Sequence, residues 1–213
     1  MNGNGNTIFW NAYGSLFIRP SRTFRLLTKE PASLRWAAMA VCIPAVLYTL
    51  VYLFLILGDG RPFKPWLNIP DDMYYRYNVF LCAPSMFLGW ILASGVVQLL
   101  SRTWSGTGTF ESTLVVIGFG IGVANWSTGL HDIVTSFLGA IQVINQQAYE
   151  VLLNTPTIWR AMLWALMGAY VVWFIALFTK GIRVVHRINP ARAFLIGLTG
   201  FLVYQLFFLI FNR

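Results

Sequence analysis

Few residues of this chain have the chemistry of an acid–base or metal site, and the clearest pair is His131 next to Asp132. An imidazole beside a carboxylate can relay protons or bind a metal ion. Adjacent helix residues point about 100° apart, so we expect these two side chains not to face each other. The other histidine, His186, falls on the opposite side of the predicted membrane domain. A zinc site needs a tetrahedral set of nitrogen or sulfur ligands, so neither a metal nor another cofactor is expected.

Motifs of known enzyme classes are missing from the sequence. There is no GxSxG, no HExxH and no P-loop, and no pair of carboxylates is predicted at the middle of a membrane helix. Because the chain offers no set of acid, base and nucleophile, we expect a protein that is not an enzyme.

The composition indicates that hydrocarbon, not water, surrounds most of the chain. Of the 213 residues, 57% are hydrophobic and only 10% are charged, whereas a soluble domain has about 25% charged residues. Five apolar segments are each long enough for a helix to cross a bilayer core of about 30 Å. The sequence therefore predicts an all-α, polytopic membrane bundle of five transmembrane helices in residues 36–213. The segments are 36–57, 79–100, 112–139, 158–179 and 191–211.

The basic residues predict the orientation of this bundle. Of the 15 lysines and arginines, ten fall on the N-terminal side and five on the other, namely Arg61, Lys64, Arg76, Arg160 and Arg213. The excess places the N-terminus in the cytoplasm and the C-terminus outside. The cations also stand in short clusters beside apolar runs, which favours contact with anionic lipid over nucleic acid. The expected lipid contacts are Arg19, Arg22, Arg25, Lys29, Arg35, Lys180, Arg183 and Arg187.

Residues 1–35 form a basic N-terminal segment that is too polar to span a membrane. Apolar side chains recur in it at helical spacing, among them Phe9, Tyr13, Leu16 and Phe24. We expect short helices that lie in the cytoplasmic interface of the membrane. The alternative is a basic linker that only sets the topology.

The third apolar segment has the strongest pattern of all. Small or polar residues recur in it at alternating steps of four and three, which places them on one face of a helix for about six turns. Helices in lipid associate through small residues and interhelical hydrogen bonds. We therefore expect one helix at the centre of the bundle, with another backbone against this stripe. The stripe comprises Gly118, Gly122, Asn125, Gly129, Asp132, Ser136 and Gly139.

Two polar residues of the stripe allow a second interpretation. A charged group in a membrane helix is costly, which makes Asp132 a functional candidate. It lies about 30 Å along the segment, however, which places it near the outer interface, where an aspartate can simply be solvated or cap the helix end. Asn125 lies nearer the centre, where an interhelical hydrogen bond is expected. Together with Gln205, these two residues could line the polar path of a small transporter or channel. That is the alternative to a non-catalytic bundle that binds lipid or a partner membrane protein.

Three short stretches resemble the Yip family, the Ypt/Rab-GTPase-interacting membrane proteins, in its prokaryotic branch. They are residues 20–24 followed by Pro31, the glycine-rich residues 106–114, and residues 181–193 with His186. The resemblance implies a five-helix protein of a prokaryotic cytoplasmic membrane, with its N-terminus in the cytoplasm.

The same resemblance bears on the partners. Eukaryotic relatives act in vesicle traffic, bind small GTPases or partner membrane proteins, and have a long N-terminal segment with an acidic-tyrosine-glycine-proline motif. This chain has only a short basic segment without that motif, so the resemblance does not extend to a GTPase partner, and whether any GTPase link applies stays open. The expected partners are membrane lipids and, as open alternatives, a partner membrane protein or a second copy of the chain.

Overall fold

Nine α-helices make up most of the part of the chain that the computed structural model describes, residues 4–62 and 67–212. Lys64 and Arg213, which enter the charge count above, lie outside these described residues. The helices are α1 (Asn4–Ser15), α2 (Pro20–Leu27), α3 (Ser33–Leu57), α4 (Asp71–Thr103), α5 (Phe110–Ala124), α6 (Trp126–Ala140), α7 (Gln146–Asn154), α8 (Ile158–His186) and α9 (Pro190–Asn212).

Four helices, α3, α4, α8 and α9, are each long and apolar enough to cross a membrane. The pair α5 and α6 passes the same test together, so the described residues contain four spans, or five if the bent pair is one span. The prediction of an all-α, polytopic membrane bundle is confirmed.

The two ends of the bundle differ in charge. α3, α5 and α9 begin at the end where α4 and α8 finish. This end also contains α2 and the clustered cations, and we call it the basic end; the other is the opposite end. The cations of α2, α4 and α8 at the basic end are Arg22, Arg25, Arg102, Lys180, Arg183 and Arg187.

The core of the bundle is built around α5, in which every residue from 115 to 124 is buried. Glycines bring its neighbours close. A Cβ on Gly122 would lie 2.5 Å from the carbonyl oxygen of Ala40 on α3, and one on Gly120 would lie 2.9 Å from the ring of Phe178 on α8. Both distances are shorter than van der Waals contact, so these helices can approach α5 only because glycine stands at both positions.

The third span is bent, and the prediction of one continuous helix was wrong. α5 and α6 meet at Asn125 with an angle of 42°. In an unbroken helix the carbonyl oxygen of Gly122 would accept the backbone N–H of Trp126. Here it accepts the hydroxyl of Tyr13 from α1 at 2.6 Å. The indole N–H of Trp126 in turn donates to the oxygen of Tyr13 at 2.8 Å, so a distant helix provides partners for two polar groups beside the bend.

The first helix packs into the bundle along its aromatic side. Phe9 and Tyr13 are buried, and the ring of Phe9 lies 5.9 Å from that of Phe119. Phe119 and Gly122 follow the first residue of α5, Phe110, by distances of about 14 and 18 Å along the helix axis. α1 therefore lies beside the middle of the α5–α6 pair, and its position at a membrane interface stays a prediction.

Candidate functional site

A groove of about 520 Å³ opens at the basic end, between α2 and the last turns of α8. Four of its seven lining residues are positively charged and none is negatively charged. The lining residues are Ser21, Arg25, Lys180, Arg183, Val184, Arg187 and Ile188. This composition makes the groove a candidate site for an anion.

The spacing of the cations on α8 explains why they share the groove. Lys180, Arg183 and Arg187 follow one another by three and four residues, which places them on one face of the helix. Cations in the last turns also interact favourably with the negative end of the helix dipole. The fourth cation comes from α2, where the Nε of Arg25 donates to the carbonyl oxygen of Ser21 at 3.3 Å.

A glycine of α8 lies beneath the groove, in contact with α5 and near α2. A Cβ on Gly181 would lie 2.8 Å from the Cβ of Val116 and 3.5 Å from the ring of Phe24. Because Gly181 has no side chain, α5 packs closely on α8, and the buried Phe24 holds α2 beside it. The apolar contact beneath the groove thus fixes Arg25 opposite the cations of α8.

The structure brings together four of the eight cations predicted to contact anionic lipid, namely those on the groove wall. The other four do not line it. Arg19, Arg22, Lys29 and Arg35 are exposed elsewhere on α2, its flanks and the start of α3. Binding of lipid at either set stays a prediction.

A buried polar cluster lies behind the groove, and we call Gln98, Gly108, Thr113 and His186 the His186 cluster. The Nε2 atom of His186 lies 2.9 Å from the hydroxyl of Thr113. That hydroxyl lies 2.7 Å from the side-chain oxygen of Gln98, whose amide nitrogen donates to the carbonyl of Gly108 at 3.0 Å. The second and third of the stretches quoted above therefore contact each other. The sequence does not single out Gln98 or Thr113 as functional residues. Gln98 is marked only as a polar residue inside a predicted span, and Thr113 also falls in the glycine-rich stretch 106–114.

A second polar cluster lies at the opposite end, and it corrects the prediction for His131. The Nδ1 atom of His131 lies 2.9 Å from a carboxylate oxygen of Asp132, so the prediction that they do not face each other was wrong. The 100° between neighbours describes the Cα–Cβ directions, whereas an imidazole can swing back along the helix surface. The phenol of Tyr149 holds the ring from the other side, 2.8 Å from Nε2, and the hydroxyl of Tyr48 donates to Asp132 at 3.3 Å.

The short helix α7 supplies Tyr149 and an unusual carboxyl group, Glu150. Burial raises the pKa of Glu150 above its ordinary value of 4.5, although hydrogen bonds from Gln146 and from the backbone of Arg61 favour the charged form. Burial and then the nearby charge of Asp132 raise the pKa of the Tyr149 phenol. Both groups are therefore biased toward their neutral forms.

The stripe residues of the third span contact several helices. Asn125 and Ser136 donate to backbone carbonyls four residues earlier in the chain, at 2.8 and 2.7 Å. Each of the other stripe residues contacts a different partner. Gly118 faces Ala37 and Trp90, Gly122 faces Ala40, Gly129 faces Leu47, Asp132 faces Tyr48, and Gly139 faces Gln146. Most of these partners belong to α3, and a role of the stripe in binding another protein stays a prediction.

The three residues of the proposed polar path bond to different partners. Asn125 donates to Ile121, Asp132 accepts from Tyr48, and Gln205 accepts from the hydroxyl of Tyr170 at 2.9 Å. The crevice beside Asn125 has no space for a water molecule and is lined by Ile43, Pro44, Leu47, Gly122 and Trp126. The geometry at Asn125 therefore offers no water-filled passage.

Comparison with known proteins places nearly the whole chain in one family. The family model described as Yip1 domain matches residues 14–211. The match includes all three stretches that meet or approach one another at the basic end. No curated protein and no solved structure matches the chain.

Proposed function

The chain belongs to the Yip1 domain family, and from that premise we propose that it is a non-catalytic, multi-pass membrane protein that binds anionic lipid in the groove at its basic end. The observation that carries this proposal is the convergence of Arg25, Lys180, Arg183 and Arg187 on one groove without a carboxylate among its lining residues. Cations on two separate helices can surround a phosphate from two sides.

The surroundings of the groove favour a lipid over a soluble anion. Val184 and Ile188 lie between the cations along the same wall, so the site offers apolar contact next to charge. Each lysine or arginine near an anionic membrane surface contributes about 1 kcal/mol of attraction. Four such residues around a single headgroup would hold an anionic phospholipid in preference to a zwitterionic one.

The proposal also includes the orientation of the protein. Cytoplasmic loops have an excess of lysine and arginine, and the cations of the basic end would meet the anionic headgroups of the cytoplasmic leaflet there. We place this end at the cytoplasmic face of a prokaryotic cytoplasmic membrane. Nucleic acid has no part in the proposal.

Lipid retention in native mass spectrometry tests the site. The protein is released from vesicles of phosphatidylglycerol and phosphatidylcholine, and retained lipids are counted. We expect the wild type to retain phosphatidylglycerol preferentially. The triple variant Arg25→Gln, Arg183→Gln, Arg187→Gln should lose about a hundredfold of this preference, because each cation contributes about 1 kcal/mol.

A matched variant separates a site from general surface charge. Arg19→Gln, Arg22→Gln and Arg35→Gln remove the same number of charges from the same end without touching the groove lining, and we expect this variant to retain the lipid. Equal losses in both triple variants would mean diffuse attraction and would contradict the proposal. The same spectra report whether a second copy of the chain is bound.

A further inference from the structure

Arg187, one of the groove cations, stands in an unusual backbone conformation. It caps the C-terminus of α8 with φ 56° and ψ 28°, in the left-handed region. A residue with a Cβ meets steric repulsion there, and glycine is the common choice at such a position. An arginine keeps this conformation only where surrounding contacts impose it.

The peptide unit that joins His186 to Arg187 is held on both sides. Its N–H, from Arg187, donates to the carbonyl of Arg183 at 3.1 Å. Its carbonyl, from His186, accepts the backbone N–H of Thr107 at 3.3 Å. Thr107 belongs to the glycine-rich loop between α4 and α5, so that loop fixes the start of the Arg187 side chain.

The side chain of His186 ties the same point to α5 and α4. The side-chain nitrogen of Gln98 donates to the carbonyl of Gly108 at 3.0 Å, so the amide oxygen faces Thr113 and accepts its single hydroxyl proton at 2.7 Å. The Nε2 atom of His186 must therefore donate to Thr113, which assigns the proton to Nε2 in the neutral ring.

The glycine-rich loop lies in close contact with the end of α8. A Cβ on Gly106 would lie 3.0 Å from His186, and one on Gly108 would overlap the side chain of Val185. The glycines thus let the loop lie directly on the end of α8. The loop contacts α8 on the side of the buried His186, whereas the exposed Arg183 and Arg187 line the groove.

We propose that His186 is a positioning residue, which holds Arg187 in the groove through the His186 cluster and the loop at Thr107. The inference rests on the proposed binding of anionic lipid. It assigns part of the lipid preference to residues that do not line the groove. Loss of the hydrogen bond from His186 lets Arg187 leave its left-handed conformation and turn toward solvent.

A double-mutant cycle on the full-length protein in vesicles tests this inference. The variants are His186→Phe, Arg187→Gln and the two combined, and the readout is the preference for phosphatidylglycerol over phosphatidylcholine together with its salt dependence. Each single variant should lose about fivefold of the preference, the contribution of one cation near an anionic surface. The combined variant should lose no more than Arg187→Gln alone.

Two further variants control for an effect of folding. His186→Gln keeps an N–H donor at a similar distance and should restore most of the preference, while Thr113→Val should reproduce the loss if His186→Phe fails to fold. The inference would be overturned if the loss of preference in the combined variant equalled the product of the two single losses. An unchanged preference in both His186→Phe and Thr113→Val would overturn it as well. A wild type without any preference would instead refute the proposed function itself.

Discussion

The hydroxyl of Tyr13 on α1 donates a hydrogen bond of 2.6 Å to the carbonyl oxygen of Gly122, three residues before the bend in the third span. The hydroxyl oxygen of Tyr13 in turn accepts the indole N–H of Trp126 at 2.8 Å. A carbonyl without a partner is costly in hydrocarbon, so Tyr13 of the N-terminal helix stabilises the bend by donating to that of Gly122.

Replacement of Tyr13 by phenylalanine should release α1 from the bundle. Gly122 and Trp126 would each lose a partner, which costs about 1–3 kcal/mol for a buried group. We expect a lower unfolding temperature in detergent and faster hydrogen exchange in residues 4–15. Tyr77→Phe is the control, because Tyr77 is 48% exposed. If α1 in Tyr13→Phe were as well protected from hydrogen exchange as in the wild type, this role of Tyr13 would be contradicted.

The contact between the third span and α3 should not tolerate a methyl group at Gly122. Gly122→Ala places a Cβ 2.5 Å from the carbonyl oxygen of Ala40, and overpacking of this kind costs about 1–3 kcal/mol. Gly168→Ala is the matched control in α8, where a Cβ meets nothing within 4 Å. Thermal unfolding should show a loss only in the first variant. Equal stability of the two would mean that α3 and α5 are not in close contact.

The sequence predicts the helices of the bundle but not the bend between α5 and α6. Apolar length is a local property, so a window of about 20 residues suffices to find a span. The stripe, in contrast, continues through Asn125 without a change in spacing. The bend depends on Tyr13, which lies 109 residues from Gly122 in the sequence, and no local pattern reports such a contact.

The candidate site was predictable only in its composition. The clusters of arginine and lysine predict contact with anionic lipid, but the groove lies above a contact of Phe24 and Val116 with Gly181. That contact joins three elements that are distant in sequence. The position of His131 depends likewise on Tyr149 from α7, which the geometry of α6 alone does not supply.

Tyr149 should hold α7 against the bundle. Tyr149→Phe removes the hydrogen bond to Nε2 of His131, and the net loss of about 1 kcal/mol corresponds to an approximately fivefold increase in local opening. Hydrogen exchange should therefore rise in residues 146–154, while exchange in α4 and α9 serves as the internal control. An increase spread evenly over all spans would show that the effect is global.

The docking of α7 should also weaken as the pH rises. Burial raises the pKa of Glu150 in the folded protein, so the neutral form is favoured there. Its contribution to stability is fully present below the ordinary value of about 4.5 and is lost as the pH rises through the raised pKa. Hydrogen exchange of residues 146–154, corrected for intrinsic rates, should show this trend.

Glu150→Gln isolates this effect from those of other groups on the protein. The variant should show a smaller change in the opening of α7 between about pH 4 and pH 7 than the wild type, because one titrating group has been removed. An opening that increases as the pH falls, or the same profile in both proteins, would contradict the account.

The most direct test of the central claim is to map where an anionic lipid headgroup lies on the protein. Vesicles of phosphatidylcholine contain a small fraction of phosphatidylglycerol with a photoactivatable diazirine on its headgroup, and labelled residues are identified by peptide mass spectrometry. The account predicts labelling of α2 and the end of α8, around Ser21, Val184 and Ile188, which excess unlabelled phosphatidylglycerol abolishes and free phosphate does not. Labelling spread over both ends of the bundle, or unchanged in the triple variant of Arg25, Arg183 and Arg187, would contradict it.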